Sequence, residues 1–194
     1  MTFPPYAASA KWYAQWLKSL AEGNSDSAAI VKANVALEVA GKGMARCLVG
    51  THTGEPLMLS VAVEGGARRL RDNSNLSRIK LSDHGDWRRT HMAALSTIYG
   101  KWPYFDHIAD RLKPVYSDGD IEKLKQFNLE IHKVISSFLI GGIEPTNINK
   151  TIKEKKIEKR CLEIANGIQP ELSILDALML HGPETILGIS EWGK

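Results

Sequence analysis

The sequence predicts a mixed α/β (α+β) fold, in which a small mixed sheet from the N-terminal half packs against helices mainly from the C-terminal half. Short aliphatic and alternating segments, which are typical of strands, dominate the chain before residue 83. After residue 86 the apolar residues recur at helical spacing. Because strands and helices are segregated along the chain, the pattern favours α+β packing over a regular βαβ array. The 194 residues fit one domain, 1–194.

The N-terminal part is predicted to form one helix followed by several short strands. Aromatic and aliphatic residues recur at helical spacing over 12–20, which indicates an amphipathic helix that ends near Gly23. Segments 28–39 and 44–51 carry β-branched and aliphatic residues on either side of a glycine-containing turn, and we expect both to be strands. Segment 57–63 alternates Leu and Val on one face and is the clearest strand.

The rest of the chain is predicted to form a loop, one more strand and then helices. Residues 67–77 are polar and basic, which indicates a loop, and residues 78–82 alternate again as a strand. A helix is expected from Asp86 to Gly100, and the spacing of Trp87 and His91 places both on its inward face. Three further helices are expected at about 104–112, 120–140 and 172–181.

Charge and composition argue against several classes of function. The formal net charge of +3 is too small to indicate nucleic-acid binding without a concentrated patch. The two cysteines, Cys47 and Cys161, form no CxxC pair, so neither a disulfide framework nor a zinc site is indicated. No apolar run reaches the roughly 20 residues of a membrane span, and no secretory signal pattern opens the chain. We therefore expect a soluble cytoplasmic protein with no cofactor and no metal.

The segment 82–91 brings more reactive side chains together than any other. It joins a strand end to a helix N-terminus, where free backbone N–H groups favour an anion or a developing oxyanion. An imidazole there can act as a general base, an aspartate can fix its tautomer, and a guanidinium can hold a phosphate or carboxylate. The candidates for catalysis are His91, His84 and Asp83, and those for substrate binding are Trp87, Arg88 and Arg89.

Structural alternatives stay open for these and other polar residues. Within 82–91, the histidine of the inward face can be a core residue, and the arginines can form a solvated face. Cys47 follows Arg46, a cation that could lower the thiol pKa and make it a nucleophile, but an inert strand cysteine fits equally. Ser173 and Asp176 have the spacing of a capping box. Asn128, on an apolar helix stripe, indicates a buried structural bridge.

Several blocks of this sequence together resemble the WbqC-like family. The blocks span nearly the whole chain in the family's order, and the strongest of them covers residues 79–91. The matching blocks are Phe3-Pro-Pro-Tyr6, Lys11-Trp-Tyr-Ala-Gln-Trp-Leu17, Arg46-Cys47, Pro56-Leu-Met-Leu-Ser-Val61, Ile79 to His91, Tyr99, Pro103-Tyr-Phe105, Leu172 to Asp176 and Gly182-Pro-Glu184. The resemblance adds Arg46, Cys47 and Tyr104 to the residues expected to bind substrate.

The resemblance implies transfer of a glycine or other aminoacyl group to an amino sugar or another amine. The expected setting is surface polysaccharide or secondary metabolite biosynthesis. The run Lys150–Arg160 holds six cations and two anions, so it could dock an acidic carrier protein or an aminoacyl-tRNA that bears the donor. Two alternatives use the same residues: a non-catalytic protein that binds a nucleotide-sugar or other anion, and a hydrolase that passes the acyl group to water.

Overall fold

The computed structural model describes residues 1–51, 54–71, 73–141, 143, 147–148, 150 and 158–193. The predicted mixed α/β class is confirmed, with helices forming most of the described chain around one two-stranded antiparallel sheet. The helices are α1 (Ala10–Ala21), α2 (Asp26–Ala36), α3 (Trp87–Tyr99), α4 (Phe105–Ser117), α5 (Leu124–Ile140), α6 (Glu158–Gly167), α7 (Ile174–His181) and α8 (Thr185–Ile189), and the strands are β1 (Arg46–Val49) and β2 (Leu57–Ser60).

Helix α1 lies in the centre of the core, as its apolar spacing predicts. Ser9 caps its N-terminus by accepting a hydrogen bond from the N–H of Trp12. The buried face carries Trp12, Tyr13, Trp16, Leu17 and Leu20. The Trp12 indole N–H donates to Asn34 Oδ1 over 2.9 Å, and the Asn34 amide donates to the carbonyl of Phe3 over 2.9 Å. This buried amide therefore fixes the N-terminal segment against both of the first two helices.

The strand predicted at 28–39 is wrong, because residues 26–36 form helix α2. Ser25 caps this helix by accepting from the N–H of Ala28, and four of the eleven helical residues are alanine, the best helix former. One side of the helix packs on α1 through Ala29, Ile30 and Ala33. The β-branched residues misled the prediction because tertiary packing and a good cap override a weak strand propensity.

The sheet is smaller than the mixed sheet that the sequence predicts. Strands β1 and β2 pair antiparallel with Cys47 opposite Leu59. The residues expected to continue the sheet, 61–63 and 78–82, contribute only isolated bridges such as Val63 to Leu81. The predicted loop at 67–77 contains two short 3-10 helices, whose apolar residues Leu70 and Leu76 are buried.

The helices expected in the second half are confirmed, with shifted ends. Helix α4 continues beyond the expected end at 112 to Ser117, and α5 begins at Leu124. Asn128 on α5 is the structural bridge that the sequence indicated, since its amide donates to the carbonyls of Pro4 and Met44. No helix in the described part of the chain is long and apolar enough to cross a membrane.

Candidate functional site

The segment 82–91 is divided by the start of α3. Asp86, at φ 46°, precedes the helix without capping it through its side chain, which instead binds the guanidinium of Arg89. The side chains of Trp87 and His91 point into the core, as their spacing predicts. Asp83, His84 and Arg89 are exposed. The reactive groups of this segment therefore face different environments, and the buried His91 is separated from the exposed Asp83 and His84.

His91 lies in a buried polar cluster with two tyrosines. Its Nδ1 is 3.1 Å from the hydroxyl of Tyr6, which also hydrogen-bonds the hydroxyl of Tyr116. The backbone carbonyl of Ser60 accepts from the imidazole as well. A neutral imidazole has one N–H and one acceptor nitrogen. Because the N–H donates to the Ser60 carbonyl, Nδ1 is the nitrogen that accepts from the Tyr6 hydroxyl. Tyr6 and Ser60, rather than Asp83, therefore fix the tautomer of His91.

Burial keeps the His91 imidazole neutral. Desolvation lowers the pKa of His91 to about 4, and the hydrogen bond to the Ser60 carbonyl opposes this shift without reversing it. The ring of Trp87 packs edge-on at 5.1 Å between centroids, and the ring of Tyr6 stacks at 5.7 Å. The neutral His91 imidazole accepts a hydrogen bond from the Tyr6 hydroxyl at Nδ1. It can therefore also take up a proton that arrives through this hydroxyl.

Cys47 joins the same cluster from β1. Its thiol interacts with the Tyr6 hydroxyl, so that Tyr6 connects Cys47 to His91. Burial raises the pKa of the Cys47 thiol well above its usual range, the nearby charge of Asp176 raises it further, and the bond with Tyr6 opposes both. The thiol is therefore protonated at rest, and the Arg46 next to it does not produce the lowered pKa that the sequence suggested.

Two cavities flank this cluster. The first, of about 430 Å³, is lined by Cys47 and Arg46 together with parts of the N-terminal segment and the turn at 37–43. The second, of about 400 Å³, is lined by Asp83 and Arg88 together with Tyr116 and the loop that follows it. Cys47 on the wall of the first cavity interacts with Tyr6, and Tyr6 hydrogen-bonds Tyr116 on the wall of the second. Of the predicted site residues, Arg46 and Cys47 thus line the first cavity, and Asp83 and Arg88 line the second.

Arg88 is held by the protein itself. Its guanidinium donates to the carbonyl of Tyr116 over 3.3 Å and to that of Ile121 over 3.2 Å. It also lies 4.9 Å from the centroid of the Trp87 ring, and 3.7 Å separates its Nε from Asp83 Oδ1. These contacts fix the loop between α4 and α5, so the guanidinium is occupied in positioning a cavity wall.

Arg88→Met is expected to reduce the free energy of unfolding by about 2 kcal/mol, because two backbone carbonyls lose their donors while the apolar stem is kept. Urea denaturation measures the effect. Arg89→Met is the matched control, since the Arg89 side chain is 81% exposed and its replacement should have no measurable effect. Equal losses in the two variants would contradict the assigned role of Arg88.

Tyr104, the remaining predicted binding residue, lies at the C-terminal end of α7. Its N–H donates to the carbonyl of Met179 over 3.1 Å, and its half-buried ring packs directly on Gly182. Tyr104 does not line either of the two cavities. Its place at the junction between α4 and α7 is that of a packing residue.

Asp176 has a role that the sequence did not indicate. Ser173 is the N-cap of α7, as expected, but Asp176 does not complete a capping box. Its Oδ1 instead accepts from the N–H of Gly50, 126 residues away, over 2.8 Å. Desolvation raises the pKa of Asp176 to about 6. Capping spacing alone could not identify this contact, because the partner lies beyond the end of a distant strand.

The WbqC-like protein family model matches residues 24–169, three quarters of the chain. The chain belongs to the WbqC-like protein family. No curated protein and no solved structure matches it. Most of the buried cluster of this WbqC-like protein lies inside the matched range, including Cys47, His91 and Tyr116. Tyr6 and Asp176 lie outside that range, on the two segments that close around β1.

In this WbqC-like protein no group of three or more His, Cys, Asp or Glu side chains within the described residues could hold a metal ion. The buried cluster itself consists of a thiol, two phenols and an imidazole, which can exchange protons through their hydrogen bonds. The thiol is the strongest nucleophile among these groups, and the imidazole is the strongest base.

Proposed function

We propose that the protein transfers an aminoacyl group, glycyl in the simplest case, from an activated donor to an amine, with Cys47 as the residue that carries the acyl group. The observation that supports this is the buried connection from Cys47 through Tyr6 to His91, with the cysteine on the wall of a cavity of about 430 Å³. A nucleophile, a base and a space for substrate are the minimum that acyl transfer requires.

In the first half of the reaction the Cys47 sulfur attacks the donor carbonyl. The thiol proton passes to the Tyr6 oxygen while the Tyr6 proton passes to Nδ1 of His91, so the relay ends on an imidazole that is neutral at rest. Collapse of the tetrahedral intermediate breaks the bond to the donor, which leaves with the proton. The product of this half is an aminoacyl thioester on Cys47.

In the second half an amine attacks the Cys47 thioester. One amine proton returns to the sulfur by the same relay, the C–S bond breaks and the amide leaves. Arg46, which is next to Cys47 in β1 and also lines the cavity, is the cation that would stabilise the oxyanion in both halves. His84 and Asp83 take no part in this scheme, because their exposed side chains lie outside the buried relay.

The acyl donor is proposed to be carried on a thioester of a carrier protein or on a tRNA, in the cytoplasm. Its docking surface is the basic run Lys150–Arg160, most of which lies outside the described residues, so this part stays a prediction. The amine acceptor is an amino sugar or a similar amine of surface polysaccharide or secondary metabolite biosynthesis, as the family resemblance implies.

A second candidate function is ligand binding without turnover. The observation that favours it is the high pKa of the buried Cys47 thiol, which leaves very little thiolate at neutral pH. Under this alternative the cavity beside Arg46 binds an anion such as a nucleotide-sugar, and Cys47 is an inert part of its wall.

The test is to incubate the protein with glycyl-pantetheine thioester and to measure its intact mass. We expect the mass of one glycyl group on the wild type, removable by hydroxylamine, and release of glycyl amide when a small amine is added. Cys47→Ala should carry no adduct, whereas the matched control Cys161→Ser should react like the wild type. Tyr6→Phe and His91→Gln should slow acylation by about 10²- to 10⁴-fold, and His84→Gln should not.

Three other outcomes have distinct meanings. An unmodified wild type that still binds an anion in the cavity would support the second candidate function. Release of free glycine without any amine would indicate a hydrolase. Amide formation that survives in Cys47→Ala would contradict the proposed covalent step.

A further inference from the structure

The cavity that Cys47 lines has a mostly apolar wall. Side chains from the N-terminal segment, α1, the turn after α2 and both strands form it, among them Pro5, Trp12, Leu37, Val39, Leu48 and Met58. Two serines also line the cavity, but their hydroxyls have partners in the protein. The Ser9 hydroxyl accepts from the N–H of Trp12, and the Ser173 hydroxyl donates to the carbonyl of Ala7 over 2.8 Å. The uncharged side chains of the wall therefore have little hydrogen-bonding capacity left for a ligand.

The charged residues of the same cavity leave it with an excess of positive charge. Lys42 and Arg46 both line it, and among the described residues neither cation forms an ion pair. Of the two carboxylates, Glu171 pairs with a lysine of α1 over 2.7 Å, and Glu38 is left to offset one of the cations. Arg46 is half-buried next to the thiol, whereas Lys42 is exposed in the turn before β1. One cation therefore lies beside the nucleophile and another at the mouth of the cavity.

We propose that this cavity receives the acyl donor as a thioester on a phosphopantetheine arm, with the thioester at Cys47, the arm along the apolar wall and the phosphate at Lys42. The assignment rests on the proposed acylation of Cys47 and names the class of donor for that reaction. The aliphatic segments of the arm suit a wall with few free polar groups, and an ammonium group suits a phosphate. A nucleoside, which ends a tRNA, carries a base and a ribose whose edges need hydrogen-bonding partners.

The exchange of thioesters also suits the state of the Cys47 thiol. The Cys47 sulfur forms a bond to the acyl carbon, the bond from that carbon to the sulfur of the arm breaks, and the arm leaves as a thiol with the proton that Cys47 gave to the relay. Burial raises the pKa of Cys47, so a pantetheine thiol, with an ordinary pKa of about 8.5, is the better leaving group of the two. The ribose hydroxyl of an aminoacyl-tRNA is a poorer leaving group than a thiol.

The first experiment measures binding without turnover, by calorimetry in the presence of a reductant. The wild type should bind phosphopantetheine about 10-fold more tightly than pantetheine, because only the former carries the phosphate. Lys42→Met should bind the two compounds equally. Lys18→Met is the matched control, since Lys18 is exposed on α1 and does not line the cavity. Equal affinities in the wild type, or a phosphate advantage that persists in Lys42→Met, would overturn the proposal.

A second pair of variants tests the apolar wall. Met58 lines the cavity and its neighbour Leu57 does not, although both side chains are exposed on β2. Met58→Glu adds a carboxylate to the wall and should weaken the binding of both compounds about 10-fold. Leu57→Glu adds the same charge on the same strand and should leave binding as in the wild type. Equal weakening in the two variants would show that the arm does not lie on this wall.

Acylation by glycyl-phosphopantetheine, measured by intact mass, separates this proposal from that of covalent transfer. If phosphopantetheine binds as expected but its glycyl thioester never modifies Cys47, covalent transfer fails and the binding site for the arm stands. If glycyl-tRNA acylates Cys47 faster than the glycyl thioester does, covalent transfer stands, the donor is a tRNA and the site for the arm is wrong.

Discussion

His91→Gln is expected to remove an acid-induced loss of stability of about 3 kcal/mol between pH 7 and pH 4. The folded protein holds the pKa of His91 at about 4, whereas an unfolded chain takes up the proton near the ordinary histidine pKa of 6.5. The unfolded state therefore binds more protons as the pH falls through this window. The contribution of the neutral histidine is complete above the unfolded pKa and is lost as the pH approaches the folded pKa.

Asp176→Asn is expected to change stability in the opposite direction over the same pH window. Burial raises the pKa of Asp176 from 3.8 to about 6, so the folded state binds the proton more tightly and ionisation lowers stability. The penalty is full above the folded pKa and disappears as the pH falls toward the unfolded pKa. Asp176→Asn should thus be more stable than the wild type at pH 7, and this advantage should shrink by about 2 kcal/mol at pH 4.

Urea denaturation of the wild type, the two single variants and the double variant, from pH 4 to pH 7, measures both effects. The difference in unfolding free energy between each variant and the wild type is the relevant quantity, because it cancels the titration of other groups. Two differences that are independent of pH would show that neither side chain is desolvated as described.

Gly182→Ala is expected to reduce the free energy of unfolding by about 4 kcal/mol, from strain and overpacking together. Gly182 ends α7 at φ 54° and ψ −137°, a conformation that is strained for any residue with a Cβ atom. An added Cβ would also lie 2.4 Å from the ring of Tyr104, far inside van der Waals contact. Either the ring or the end of α7 must move.

The control for this prediction is Gly85→Ala. Gly85 also has a positive φ, 77°, but a Cβ there would meet nothing within 4 Å. Its replacement should cost only about 1 kcal/mol, the backbone term alone. Adding Tyr104→Ala to Gly182→Ala should recover part of the loss if the ring contact matters. Thermal or urea unfolding measures all four proteins, and similar losses for the two glycine variants would contradict the role given to Tyr104.

The candidate site shows which inferences the sequence could support. The spacing of Trp87 and His91 correctly places both on the buried face of α3, because helical periodicity is a local property. The expected convergence of His84, Asp83 and His91 did not hold. The chain turns through the positive φ of Gly85 and Asp86 before the helix begins, and that turn leaves the first two side chains exposed.

The sequence by itself determined the mixed α/β class, most of the helices, the inward face of α3 and the family. Each of these depends on periodicity, capping or a pattern of residues that can be read along the chain. Only the tertiary structure decided that Tyr6 holds His91 across 85 residues and that Asp176 reaches Gly50 across 126. Burial and the partners of polar groups depend on which distant segments pack together, and those set the protonation states of the thiol, the imidazole and the carboxylate.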